Sequence, residues 1–213
     1  MHTKRLRATL ALTLLAVVAV IVTACGGSSI SSDSSKANAA DKAFVAQMIP
    51  HHQMAVQMAQ SAKQRGGHPE TTKLADAIIS AQDAEIAQMR TLAKSIGVKP
   101  AAMPSGSMSA MDSAMSTDAK ALGLSMKEMG MSMDMAMLDK ANPFDRAFID
   151  MMIPHHQGAI RMARAELAKG NDAQLKKIAT GIVAAQTKEI GQMNTWRQGW
   201  YGAPSPAGGV PAS

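Results

Sequence analysis

The stretch that decides the fold is "MIPHHQMAVQMA", Met48 to Ala59, because it returns almost unchanged as "MIPHHQGAIRMA", Met152 to Ala163. Each copy sets a proline, two adjacent histidines and a glutamine within an otherwise apolar run. Proline inside a helix removes a hydrogen bond and costs about 3 kcal/mol. Polar side chains on a buried face are costly unless they find partners. A combination that breaks two rules and occurs twice points to a selected constellation.

Working outward at a constant offset of 104, Lys36-Ala37-Asn38 matches Lys140-Ala141-Asn142, and Asp41, Ala43 and Phe44 match Asp145, Ala147 and Phe148. Beyond the proline phrase the match continues through Ala75, Ile78, Gln82, Glu85, Ile86 and Met89. Positions 36 to 92 carry 26 identities with their counterparts and need no gap. The chain contains an internal duplication.

Each copy reads as a helical hairpin. Phe44, Met48, His51, Ala55 and Met58 recur at the spacing of one helix face, as do Phe148, Met152, His155, Ala159 and Met162. Asn142 is placed to cap the second copy, with Pro143 as its first helical residue. "RGGHPE" and "KGNDAQ" break the pattern, Gly170 serving as a C-cap. Second helices follow, with Leu74, Ile78, Gln82, Glu85 and Met89 on one stripe and Ile178, Ile182, Gln186, Glu189, Met193 and Trp196 on the other. No stretch alternates as a strand does. Two hairpins with mutually dependent apolar faces predict an all-α four-helix bundle with approximate two-fold symmetry. The expected organisation is a leader (1–24), an anchored tether (25–37), a first hairpin (38–96), a Met-rich linker (97–139), a second hairpin (140–201) and a disordered tail (202–213).

The leader has a basic start, "MHTKRLR", and an apolar run that ends in small residues before Cys25, the only cysteine. "VTAC" resembles the lipobox of bacterial lipoproteins. It implies lipidation of Cys25 and anchoring of an exported protein to the outer face of the cell membrane. A plain signal peptide or a membrane anchor with an incidental cysteine is the alternative. With Cys25 so used, disulfides and thiolate zinc sites are excluded. Lys4, Arg5 and Arg7 lie in this leader, so the net formal charge of +6 falls to about +3 without it. The remainder is ordinary, and three Phe, two Trp and one Tyr offer little for base stacking, so nucleic-acid binding has no support.

Ten of the nineteen methionines fall between Met103 and Met137. "MGMSMDMAM" alternates methionine with small or acidic residues, unlike a core strand or an ordinary linker. Thioether sulfur is a soft ligand suited to Cu(I), so Met126, Met129, Met131, Met133, Met135 and Met137 form a candidate capture segment. Core filling and sacrificial oxidation are the alternatives.

Within the bundle, His51, His52, His155 and His156 share inward or flanking positions with Met48, Met58, Met89, Met152, Met162 and Met193. Glu85 and Glu189 lie on the partner helices. One reading is a metal site with imidazole and thioether ligands, the glutamates being ligands or orienting partners. The other is a buried hydrogen-bond network that fixes helix register. A di-iron centre uses four glutamates and two histidines, with Glu-x-x-His motifs on two helices, whereas this chain has no Glu-x-x-His and one repeated inward glutamate per hairpin. No catalytic triad or phosphate loop is recognisable.

At "FDRAFIDMMIPHHQGAIRMA", Phe144 to Ala163, and "AAQTKEIGQMNTW", Ala184 to Trp196, the chain resembles a bacterial family named as domain of unknown function 305. "GMSMDMAML" fits the same pattern. The resemblance implies a ferritin-like four-helix fold and export, with copper binding or resistance in some members. In the first copy Gln47 stands at the place of Met151, and Met54 at the place of Gly158. The expectation is a membrane-tethered, non-enzymatic protein whose suspected cargo is copper, with Cu(I) favoured. A metal-free structural bundle and a copper- or iron-dependent redox enzyme are the alternatives.

Overall fold

The computed structural model describes residues 37–100, 116–131 and 134–212. Its frame is four long helices: α1 (Ala39–Arg65), α2 (Pro69–Ser95), α3 (Phe144–Lys169) and α4 (Ala173–Tyr201). A helical stretch at 116–122 and a short helix, Met135–Asp139, lie between the hairpins. Among the described residues there is no strand. The bundle of two duplicated hairpins is the architecture the periodicity predicts.

Local chemistry sets the ends. Asn38 caps α1 by accepting from the Ala40 and Asp41 N–H groups, while Asp41 accepts from Asn38 N–H at 2.6 Å, a reciprocal box. α2 opens on Pro69, where a missing N–H is harmless. Asp172 caps α4, and Gly202, at φ 80°, ends it in the left-handed conformation that glycine tolerates. The second repeat's first helix starts one residue later than the sequence suggests. Pro143 is extended, at ψ 138°, and occupies the cap position instead of the first turn. Both α1 and α3 run without interruption through their interior prolines, Pro50 and Pro154.

The hairpins lock each other through the duplicated aspartates. Asp41 accepts from the backbone N–H groups of Asn171 and Asp172 in the α3–α4 turn. Asp145 accepts from Gly67 and His68 in the α1–α2 turn. Each hairpin therefore supplies the cap of the other's turn, and satisfies donors that neither turn satisfies alone. α1 and α3 pack together at the centre, each against its own hairpin partner, whereas α2 and α4 scarcely touch.

The core divides into two apolar clusters. One holds Met48, Met89, Met129 and Met162 among its buried side chains, and the other Met58, Met152 and Met193. An offset of 104 turns Met48, Met89 and Met162 into Met152, Met193 and a position matched by Met58, so the groups are images of each other. Met129 has no image. It comes from the segment between the hairpins, which lies over the first cluster as a strap with Leu122 also buried.

The strap can lie there because α3 has a glycine at the crossing. A Cβ on Gly158 would overlap the Met129 carbonyl and sit 2.8 Å from the Gly130 nitrogen. Gly130 takes φ 71° to make the close pass. α1 carries Met54 at the equivalent place, so the strap has only one side on which to dock. Gln47 donates to Asp118 at 2.6 Å and Lys169 to the Leu122 carbonyl at 2.6 Å, fixing the strap's other end.

The tail is not disordered, contrary to the expectation from its lack of periodicity. Gln157 donates to the carbonyls of Ala207 and Gly209, Arg164 to those of Pro211 and Ala212, and Asn194 to that of Gly208. Ser205 is buried. An irregular segment needs no apolar stripe when helix side chains take up its backbone carbonyls.

Candidate metal centre

His51, His52, His155 and His156 are all buried, on the facing turns of α1 and α3 just after each proline. His52 donates from Nε2 to Glu85 Oε2 at 2.7 Å, and His156 makes the same contact with Glu189 at 2.7 Å. The glutamates stand at the rim, 22% and 16% exposed, and reach inward to the rings. They thus act on histidine in this structure. A ring that donates from Nε2 presents a lone pair at Nδ1, and neither His52 Nδ1 nor His156 Nδ1 has a partner among the described residues.

His51 and His155 meet at the centre as stacked rings, with centroids 3.6 Å apart and planes 10° off parallel. Burial, followed by the neighbouring histidines, holds His51 well below its usual pKa, and burial and His156 bring His155 down to about 3. Two stacked cations in a dry core would be unsustainable, so both rings are neutral. Their partners differ. His155 Nε2 lies 2.9 Å from the His51 carbonyl and its Nδ1 3.3 Å from the Gly130 carbonyl. Neither nitrogen of His51 has a hydrogen-bond partner among the described residues. The Met129 carbonyl lies beside its ring without hydrogen-bond geometry.

Unpartnered buried polar atoms are rare and call for an explanation. Among the described residues four of the ten such atoms are histidine nitrogens of the centre, both of His51 and Nδ1 of His52 and His156; the others are oxygens of Gln47, Thr71, Gln82, Gln186 and Glu166. Around the histidines Met48, Met58, Met89, Met152, Met162, Met193 and Met129 are all fully buried. Among the described residues no group of three or more His, Cys, Asp or Glu is placed to hold a metal. An ion seated here needs thioether as well as imidazole donors, which is a soft donor set.

Of the methionines expected to form a capture segment, Met126, Met131 and Met135 are half-buried against the two clusters, and Met137 is 69% exposed. Met133, and Cys25 with the leader and tether, lie outside the described residues. A groove of about 570 Å³ between α2 and α4, lined by Lys73, Lys188, Glu189 and Trp196 among others, opens onto the carboxylate that holds His156. Sequence reasoning did not find the docking role of Gly158, whose only trace is a glycine set against a methionine in the repeat alignment. It also missed Glu166, fully buried beside Asp41, because a charged residue on a helix ordinarily reads as solvent-facing.

A family model for a domain of unknown function, DUF305, matches residues 41–206. The chain belongs to this family. Its DUF305 domain is similar to CopM in the Cu(I)-bound form, at 35% identity over 76% of this chain and 97% of that one, with a TM-score of 0.60. The Cu(II)-bound form of CopM gives 36% identity over the same shares and a TM-score of 0.61. A putative secreted DUF305 protein from Streptomyces coelicolor, at 24% identity over 78% of this chain and 96% of that one, has a TM-score of 0.62 and shares the fold. "Uncharacterized protein L153" of Acanthamoeba polyphaga mimivirus is 37% identical over 51 residues, 24% of this chain, and the match spans 34% of that protein's length.

Proposed function

We propose that the protein binds copper outside the cytoplasm and holds it in the bundle centre, with the Met-rich segment as the first point of capture. The carrying observation is the set of buried imidazoles with unpartnered nitrogens among fully buried methionines. Imidazole must be deprotonated to ligate a metal, and burial favours that form in His51 and His155. Glu85 and Glu189 would orient His52 and His156 and raise their basicity, the usual role of a carboxylate behind a metal-binding histidine. The similarity to CopM, crystallised in copper- and silver-bound forms, supports the same cargo. The leader and Cys25 support export and lipid anchoring at the outer face of the membrane, which would present the exposed Met137 and its neighbours to incoming ions.

A purely structural network is the competing reading. It explains the two His–Glu pairs but leaves His51 and the Nδ1 atoms of His52 and His156 without a purpose. Titration with Cu(I) under reducing conditions, against a competing chelator, separates the two. The metal reading expects stoichiometric binding that is lost when Met48 and Met152 become leucine, a change that conserves volume. It also expects loss in the His51/His52/His155/His156→Ala variant. Unchanged binding in both variants would remove the bundle site.

A further inference from the structure

The two halves of the centre are copies in sequence but not in contacts. A neutral imidazole carries one N–H. In His155 that proton belongs on Nε2, whose contact with the His51 carbonyl is the shorter, 2.9 Å. The remaining lone pair, on Nδ1, faces the strap's Gly130 carbonyl at 3.3 Å. No metal fits in that gap, because a ligand–metal–ligand path needs about 2 Å on each side of the ion. His155 can therefore take an ion only if the strap moves. His51 is not tied in this way: neither of its nitrogens has a hydrogen-bond partner among the described residues, and the Met129 carbonyl beside its ring lies outside hydrogen-bond geometry.

The thioethers are divided in the same sense. His51 sits one turn beyond Met48, and the Met129 carbonyl lies beside its ring. Met129 shares a cluster with Met48, Met89 and Met162, so the strap end gathers four fully buried sulfurs from four segments of the chain. The opposite end has three fully buried sulfurs, those of Met58, Met152 and Met193. Gly158 lets the strap pass close to α3, whereas α1 carries Met54 at the equivalent place.

We propose that the centre holds two unequal places, and that the first soft monovalent ion enters at the strap end. There it is held by His51 with thioethers from Met48, Met89, Met129 and Met162, while His155 seats the strap. This inference rests on the copper reading above and adds an order and a division of labour to it. His155 is here a positioning residue, and Met129 completes the tighter place.

Silver(I) is a redox-silent probe of the same softness. The intact protein, labelled at its methionine methyl carbons, is titrated with Ag(I) and followed by carbon–proton correlation, with signals assigned by single Met→Leu variants. Within the first equivalent the methyls of Met48, Met89, Met129 and Met162 should move, and those of Met58, Met152 and Met193 only afterwards. Long-range nitrogen–proton correlation should show the His51 nitrogens shifting in the first equivalent and those of His155 unmoved. Met129→Leu, which preserves packing, should weaken the first binding step about tenfold or more and leave the second in place. Simultaneous movement of both methionine groups, the reverse order, or an early shift of His155 would overturn the proposal. No methyl movement at any ratio would remove the metal reading and this proposal with it.

Discussion

Replacing Gly158 by alanine tests the strap and the geometry behind it. A methyl at this position meets backbone, the Met129 carbonyl and the Gly130 nitrogen, and neither can swing aside like a side-chain tip. At Gly130 the distance must grow from 2.8 Å to the 3.4 Å of ordinary contact, and at the Met129 carbonyl the overlap is worse. The strap has to lift, and Met129, fully buried, is the side chain it withdraws. Burying a methionine contributes about 1.5–3 kcal/mol, and partial withdrawal of Leu122 adds to the loss. Against this, alanine is better than glycine inside a helix by about 1 kcal/mol. The net expectation is a loss of about 2 kcal/mol, or about 4–8 °C in melting temperature for a chain of this size. Thermal melts by circular dichroism, with hydrogen exchange of the strap amides 126–131, provide the assay. Gly181→Ala is the control: nothing lies within 4 Å of its Cβ position, so the same change should stabilise by about 1 kcal/mol. A Gly158→Ala protein that melts at or above the wild type, with strap exchange unchanged, would refute the reasoning.

Three other perturbations follow from named contacts. Glu85→Gln and Glu189→Gln keep an acceptor for the histidine N–H but remove its charge, so Cu(I) affinity measured by chelator competition should fall about tenfold, with the helices intact. Stability should also depend on pH through Glu166, whose carboxyl is raised from 4.5 to about 8 by burial and the adjoining Asp41. Below pH 4.5 both states keep this proton. Between about 4.5 and 8 the unfolded chain releases it and the folded chain does not, so stability falls by up to about 1.4 kcal/mol per unit and then levels off. Asp41 acts oppositely: burial raises it, but N–H groups of Asp172, Asn38 and Asn171 outweigh that and hold it low. Its contribution is present above 3.8 and disappears in acid. Urea midpoints across pH should show the descending limb in the wild type and not in Glu166→Gln. Deleting residues 203–213 strips the acceptors from Gln157, Arg164 and Asn194, and should lower the urea midpoint by the equivalent of about 1–3 kcal/mol.

The four helices were legible because a 3.6-residue period in apolar side chains directly reflects which face is buried, and the repeat states it twice. The burial of the histidines and of the six bundle methionines was legible for the same reason. Other features lie beyond periodicity. His51 and His155 occupy identical positions in identical phrases and still differ in partners, because the difference comes from Gly130, far away in sequence. The tail reads as disordered because its apolar residues have no pattern, yet its carbonyls are what the helices use. Glu166 reads as surface because burial of an acid depends on a neighbour, Asp41, contributed by the other hairpin. Contacts made by backbone atoms across long sequence separations leave no pattern in side-chain type.

The exchange of caps between Asp41 and Asp145 has a consequence for how such a chain can be assembled. Half a chain contains an aspartate with no turn to close and a turn with no aspartate to close it. Two fragments cut between the hairpins carry complementary deficits and should reassociate without a covalent link. A protein built from a single such hairpin would satisfy the same groups only by pairing with a copy of itself about a two-fold axis, so the duplicated chain is a dimer interface folded into one polypeptide.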